Sequence, residues 1–375
     1  MLTSKAMLEY TSATHAKETG HTGLAVSGSD ALTRRAISVS VVIPCYNEER
    51  FIRKVLENLV QQYAPESYEI VVVDGKSTDK TRDVVREFAA THPNVDVRLI
   101  DNPARSIPKA INLGIEEARG EVIVRMDAHS IPSTNYVHRC LELLQDERAA
   151  IVGMPWRIQP GANSLVARAI ALAVSHPFGI GDAKYRSPAA TSQFVDTVPF
   201  GVFRKALWRE LGGFNEELLA NEDYDFNYRA RQRGHKILLD ASGHCAYFAR
   251  ATFKELAAQN FRYGRWKAQM IKLHPRSIKL RQLVAPTFVA TVTLLALLGL
   301  RWTSAWWLLL AIIIPYVLLA VACGVQLARR VGHPALTFVI SMAFPVIHGS
   351  WGSGFLIGMV RPPQKQLAQS LRRNR

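Results

Sequence analysis

Three aspartates in this chain stand where a carboxylate can do chemistry. Asp74 closes the apolar run Glu69-Ile-Val-Val-Val73 and precedes Gly75, and Asp127 closes Glu121-Val-Ile-Val-Arg-Met126 with His129 two residues on. Asp223 lies in Asn221-Glu-Asp-Tyr-Asp225, shortly after a Gly212-Gly-Phe turn. A carboxylate emerging at a strand end can accept from a hydroxyl or an imide, or hold a hard cation, which prefers oxygen ligands. An acid pair such as Glu222 and Asp223, opening a helix, can reach over a sheet edge and take up a proton. Pro44 with Asn47 and Glu48 presents backbone groups and a further carboxylate, while Arg105 and Lys109 are cations placed to meet phosphate oxygens.

These residues need a scaffold that brings strand ends together. The run Val39 to Pro44 is followed by a helical stretch Glu48 to Tyr63, the run Glu69 to Val73 by a helix from Asp79 to Ala90, and the run Val95 to Ile100 by a helix from Ile107 to Arg119. A fourth strand, Glu121 to Met126, ends at Asp127. Such alternation predicts right-handed βαβ units and an α/β fold with a mostly parallel sheet flanked by helices. Ligands of such sheets bind outside the carboxyl ends of the strands, where Glu48, Asp74, Arg105, Asp127 and His129 all fall.

The chain of 375 residues carries a formal charge of +15. Seven basic residues and no acid lie between Arg262 and Arg281, directly before a long apolar run, with Phe261, Tyr263 and Trp266 interleaved. That pattern predicts an interfacial helix over 261–282 lying on anionic lipids, and it argues against nucleic acid as the partner. Leu283–Leu300 and Ser304–Val325, of about 18 and 22 residues, are each long enough to cross a bilayer. A third apolar run, 335–360, is interrupted by Pro345, Gly349, Gly352, Gly354 and Gly358 and carries His348. A third full crossing would put the basic tail 361–375 on the side opposite Arg329 and Arg330, against the positive-inside tendency. A re-entrant or broken hairpin is therefore the expected form of 335–360, with a full span as the alternative. Residues 1–36 read as a disordered leader without a signal peptide's apolar region, and 37–260 as the catalytic domain. Four scattered cysteines imply neither a disulfide framework nor a zinc site and fit a reducing cytoplasm.

Four blocks in order, Val41-Val-Ile-Pro-Cys-Tyr-Asn-Glu-Glu49, Ile70-Val-Val-Val-Asp-Gly-Lys-Ser-Thr-Asp79, Val124-Arg-Met-Asp-Ala-His129 and Gly212-Gly-Phe-Asn-Glu216 with Asn221-Glu-Asp-Tyr-Asp225, resemble the family-2 inverting glycosyltransferases of the GT-A fold. Within that family the chain is most similar to membrane-bound members that build bacterial exopolysaccharides. The resemblance implies a nucleotide pocket at Pro44, Glu48 and Asp74, with Arg105 and Lys109 toward the diphosphate. It implies a divalent cation, Mg²⁺ or Mn²⁺, on Asp127 and His129, and Asp223 as the base that deprotonates the acceptor, supported by Glu222 and Arg229. Phe200 and Gly201 match its acceptor segment. Gln259 and Arg262 match part of the Gln-x-x-Arg-Trp signature of processive synthases, with Tyr263 in place of Trp.

The sequence departs from the family at Gly75, where a second acid is usual, and at His129, where Asp-x-Asp is usual. The resemblance further implies a nucleotide-sugar donor, expected to be a UDP-sugar, a lipid-linked saccharide acceptor, and a multi-pass place in the inner membrane with the catalytic domain cytoplasmic. A processive synthase, and a scaffold that has kept the fold without turnover, are the alternatives.

Overall fold

The computed structural model describes residues 38–62, 68–181, 183–186 and 191–361; the expected leader 1–36, the helix end at Tyr63 and the tail beyond Arg361 lie outside them. Strands β1 (Val39–Cys45) and β2 (Tyr68–Asp74) are buried along nearly their whole length, as apolar runs in a sheet covered on both faces must be. Helix α1 (Ile52–Leu59) separates them, and α2 (Thr81–Thr91), β3 (Asp96–Asp101), α3 (Ile107–Glu117) and β4 (Val122–Arg125) continue the alternation. There follow β5 (Ser130–Pro132), α4 (Tyr136–Gln145), β6 (Ile151–Gly153), β7 (Trp156–Gln159), α5 (Leu165–Ala173), α6 (Pro177–Ile180), β8 (Gln193–Phe194), β9 (Val202–Arg204), α7 (Lys205–Leu211), α8 (Glu222–Gln232), β10 (Ile237–Leu239) and β11 (Cys245–Phe248).

The large sheet has the order β3-β2-β1-β4-β9-β6-β10-β8, and β5-β11-β7 form a small second sheet. β3, β2, β1 and β4 are parallel neighbours, whereas β9 runs antiparallel to both β4 and β6. Alternate side chains sort the core into two layers: Val41, Ile43, Ile70 and Val72 pack with α1, α2 and α4, and Val42, Val71 and Val73 pack with α3, α7 and α8. Register puts Cys45, Asp74 and Asp101 level at the carboxyl edge. At the opposite end Glu69 is fully buried, yet accepts from Ser40, Arg119 and Arg98, so hydrogen bonds replace its lost water.

Two local features bear on the site, the first a departure from the sequence reading and the second the expected Gly-Gly turn. Helix α1 starts at Ile52 rather than Glu48: Asn47 turns the chain at φ +55°, and the Asn47, Glu48 and Glu49 amides donate to Ser77, to Thr81 at the start of α2, and to Asp79, pinning this stretch to the β2–α2 connection. The loop after α7 turns through Gly212 and Gly213, at φ +73° and +80°, and Asn221 at φ +68° then aims the first turn of α8 back at the sheet.

The carboxyl-terminal part consists of α9 (Phe253–Leu273), α10 (Arg281–Gly299), α11 (Thr303–Arg330) and α12 (Leu336–Val360). Thr252 and Glu255 form a capping box that starts α9 eight residues before the expected boundary at 261. Among the described residues three helices, α10, α11 and α12, are long and apolar enough to cross a membrane. α10 and α11 pair antiparallel, Phe288 stacking on Tyr316 and the Trp306 indole donating to the Gly299 carbonyl. The broken hairpin expected over 335–360 is not observed: α12 is one unbroken helix that includes Pro345. None of its glycines interrupts it, and Gly352, Gly354 and Gly358 let other backbones approach, since a Cβ at Gly354 would stand 2.1 Å from the Phe261 carbonyl oxygen and one at Gly352 2.7 Å from that of Ala285.

Candidate active site

Arg125, the last residue of β4, is the hub of the site. Its side chain is 4% exposed, and Nη1 lies 2.9 Å from Asp127 Oδ1 and 3.5 Å from Asp223 Oδ2, with Nη2 3.4 Å from Glu222 Oε1. Below it the Phe200 ring lies 5.0 Å from the guanidinium carbon. One cation thus joins the strand-end acid to the acid pair that opens α8, whose helix dipole also favours negative charge there. Three carboxylates face one guanidinium, so the negative charge is only partly balanced. Burial raises the pKa of Glu222 and the charge of Asp223 raises it further; burial, with Asp127, likewise raises Asp223, and Arg125 opposes both shifts. The pair consequently holds a proton more firmly than ordinary carboxyl groups do.

On the other side of Asp127, His129 Nδ1 stands 2.9 Å from Glu48 Oε1. Burial alone would lower the His129 pKa, but the hydrogen bond to Glu48 and the charge of Asp127 outweigh it and raise it. Asp127 itself is fixed by its backbone, its amide donating to Ser130 Oγ and its carbonyl accepting from the Ser130 amide and hydroxyl. Tyr247 lies 6.5 Å from the His129 ring and stacks at 4.0 Å on Trp156. The Gln259 amide lies 3.1 Å from the Tyr247 hydroxyl and 3.2 Å from that of Tyr263, and with its oxygen on that side it also accepts from Arg250.

The structure therefore brings together Glu48, Asp127, His129, Glu222 and Asp223, and reaches Gln259 through Tyr247. Pro44 is in register with Val73 at the same edge, and exposed Arg105, at φ +52°, lies over the Tyr46 ring. The other expected site residues have the following neighbours. Asp74 is fully buried, with both oxygens taken by Ser77 and by Arg82, which also pairs with Asp101. Lys109 pairs at 3.9 Å with Glu216. Phe200 is buried as the floor under Arg125 and its carbonyl accepts from Tyr136, so the neighbouring Gly201 alone of the two reaches the surface. Exposed Arg262 lies beside the Tyr263 ring. Arg229 does not support Asp223; it bonds Asp225 and the Leu211 and Gly213 carbonyls, tying α8 to the Gly-Gly turn.

Sequence reasoning missed Arg125. The signal was an arginine inside a strand otherwise apolar, which is stable only with charged partners.

Among the described residues no three His, Cys, Asp or Glu side chains converge to form a complete metal site. A cation that draws the rest of its coordination from a bound diphosphate fits better. Asp127 is partly exposed, and His129 bonds Glu48 through Nδ1, so a cation held here would meet the Asp127 carboxylate and the Nε2 of His129. A carboxylate with an imidazole suits Mn²⁺ better than Mg²⁺.

A mostly parallel sheet with a charge cluster at its carboxyl edge, completed by an acid pair on a later helix, has the architecture of the GT-A glycosyltransferases. Residues 40–257 match the glycosyl transferase family 2 model, and the chain belongs to that family. It is 31% identical over 337 residues to the succinoglycan biosynthesis protein ExoA of Rhizobium meliloti, covering 87% of this chain and 96% of that protein. It is also 29% identical, over 62% of this chain and 74% of the relative, to a dolichyl N-acetyl-α-D-glucosaminyl phosphate 3-β-D-2,3-diacetamido-2,3-dideoxy-β-D-glucuronosyltransferase of Methanococcus voltae. Among solved structures, a mannosyltransferase from Pyrobaculum calidifontis in complex with GDP-mannose and Mn²⁺ shares the fold at TM-score 0.53 and 21% identity, over 84% of this chain and 86% of that one. The protein is a glycosyltransferase with candidate membrane helices.

Proposed function

We propose that this glycosyltransferase moves a sugar, with inversion, from a nucleoside diphosphate donor to a lipid-linked or polysaccharide acceptor at the cytoplasmic face of the plasma membrane, in exopolysaccharide assembly. The observation that carries the reading is the Arg125 cluster, which joins a donor-side acid, Asp127, to an acceptor-side pair, Glu222 and Asp223. The family and the similarity to a succinoglycan biosynthesis protein support the class of product, and the relative named for a dolichyl-linked phosphate supports a lipid-linked acceptor.

The donor lies over the carboxyl ends of β1, β2 and β4, with its base near Pro44 and Glu48, and its diphosphate toward Asp127, His129 and Arg105. Bound on Asp127 and His129, a divalent cation would supply Lewis-acid neutralisation of charge on the departing diphosphate. Asp223 accepts the proton of the acceptor hydroxyl as it approaches the anomeric carbon opposite the leaving group. Arg125 favours the ionised form of that carboxylate, opposing the burial that raises its pKa. Glu222 holds the second prong of the guanidinium and fixes its orientation.

Membranes carrying the protein, given radiolabelled nucleotide sugars, should transfer label to lipid-linked material. Asp223→Asn should abolish transfer and leave nucleotide binding within a few-fold. Undiminished turnover in that variant would remove Asp223 as base, and absence of transfer from every donor by the wild-type protein, with binding retained, would favour a scaffold instead.

A further inference from the structure

Beside the Arg125 cluster stands a group of side chains rich in donors and without acceptors to match. Trp156 of β7 is 9% exposed, and its indole Nε1 has no hydrogen-bond partner among the described residues. Tyr247 stacks on the indole at 4.0 Å, Tyr185 meets it edge-on at 5.1 Å, and the Arg186 guanidinium carbon lies 5.0 Å from its centroid. Arg186 is itself partly buried, and no carboxylate among the described residues forms an ion pair with it. Its neighbours are phenols instead, those of Tyr185, Tyr247 and Tyr263. By contrast, Arg82, Arg125 and Arg229 all pair with carboxylates. More positive charge stands close by. Burial and the Tyr247 phenol raise the pKa of Tyr263, whereas the charges of Arg186, Arg262 and Arg250 oppose that rise, so three guanidiniums act at one phenol.

An indole N–H and a guanidinium can only donate. A buried donor left without an acceptor is destabilising, and an arginine stacked on aromatic rings away from any carboxylate is placed to meet a ligand's oxygens rather than to tie the fold together. The ligand that satisfies both is an anion with several acceptor oxygens. The donor's diphosphate is met at Asp127 and His129 in the reading above, and Tyr247, 6.5 Å from His129, separates that place from Trp156 by one ring. Trp156 also lies 5.6 Å from Phe200, beside the acceptor segment at Gly201. The unmatched donors therefore belong to the acceptor side.

We propose that Arg186 and the Trp156 indole bind a phosphate of the acceptor's lipid carrier, separately from the donor's diphosphate, an inference that rests on the lipid-linked acceptor proposed above and adds the residues that recognise it. The guanidinium offers its planar fork to phosphate oxygens, and the indole N–H donates one further bond. Arg250 and Arg262 add positive charge that favours an anion there. Holding the phosphate in this way fixes the acceptor's approach to Asp223 without drawing on the cation site.

The test is calorimetry on the full chain in lipid nanodiscs, titrated with farnesyl phosphate while UDP or GDP with Mn²⁺ saturates the donor site; farnesol, which lacks the phosphate, controls for partitioning into lipid. The wild-type protein should bind farnesyl phosphate in preference to farnesol. Arg186→Gln should weaken that binding by about tenfold or more, and Trp156→Phe, which keeps a stacked ring and removes only the N–H, by about threefold or more, as loss of hydrogen bonds to a charged group does. The nucleotide with Mn²⁺ should bind both variants as it binds the wild type, which also shows that they fold. Absence of farnesyl phosphate binding by the wild type, equal affinity in Arg186→Gln, or a loss confined to the nucleotide each overturns the proposal, the last by assigning Arg186 to the donor. If Arg186→Gln loses both ligands, Trp156→Phe decides, and unchanged farnesyl phosphate affinity in that variant overturns the proposal. Label transfer to lipid-linked material with affinity independent of Arg186 sinks this inference alone. Binding that depends on Arg186, with no such transfer from any donor, sinks the lipid-linked acceptor and with it the role given to the phosphate.

Discussion

A guanidinium placed in a buried parallel strand draws carboxylates to itself, and Arg125 has three of them from two separate segments of the chain. Its charge opposes the rise in the pKa values of Glu222 and Asp223. Because the proposed base, Asp223, works only when ionised, activity should fall as pH drops through this raised pKa. Arg125→Lys keeps a charge but loses the two-pronged geometry, and Arg125→Met loses both. The acidic limb of kcat/KM against pH should move upward in both variants, by about one unit or more in Arg125→Met, where about 1.4 kcal/mol corresponds to each unit. An unmoved limb in an Arg125→Met variant that folds would show that Arg125 does not tune the base. Asp74 teaches the converse at this scale: an acid whose sequence position suggested an open acceptor is bound instead by Ser77 and Arg82.

At the scale of elements, the contact of α9 with α12 depends on the absence of side chains. Gly264 and Gly354 meet carbonyl oxygens of the facing helix at distances no Cβ tolerates, whereas a Cβ on Gly349 would meet nothing within 4 Å. Gly264→Ala and Gly354→Ala should each destabilise the fold by about 1–3 kcal/mol, as overpacking does. Gly349→Ala, relieved of glycine's helix penalty, should be neutral or stabilising by up to about 1 kcal/mol. Thermal unfolding in detergent separates these outcomes, and equal effects at all three positions would mean that the helices do not pack through their glycines. The same close approach explains why the carboxyl-terminal glycines read as breaks in a helix. A single sequence cannot tell a glycine that frees the chain from one that admits a neighbour.

For the whole molecule, α10 and α11 are long apolar helices with little of their surface buried, and they bear on where the enzyme works. Membrane pellets washed with alkaline carbonate should retain the protein, because α10 and α11 are held by burial of apolar surface and not by charge alone. Release into the supernatant would leave only peripheral attachment through the basic helix.

The strand-helix alternation, the strand ends at Asp74 and Asp127, the acid pair opening α8 and the apolar runs were all readable in the chain, because period, burial and turn chemistry are local properties. Which acids share a cation was not readable, since Arg125 meets Glu222 across a sequence separation of 97 residues. Nor was the seating of α12 on α5 and α9, which depends on surfaces that meet only after the sheet has formed. The sequence alone thus determined the family's fold and its supply of acids, Asp74, Asp127 and Asp223 among them. The tertiary structure decided that Asp127 and Asp223 share one guanidinium while Asp74 turns away to Arg82, because only folding brings charges from distant segments within ion-pair distance and removes the water that would otherwise screen them.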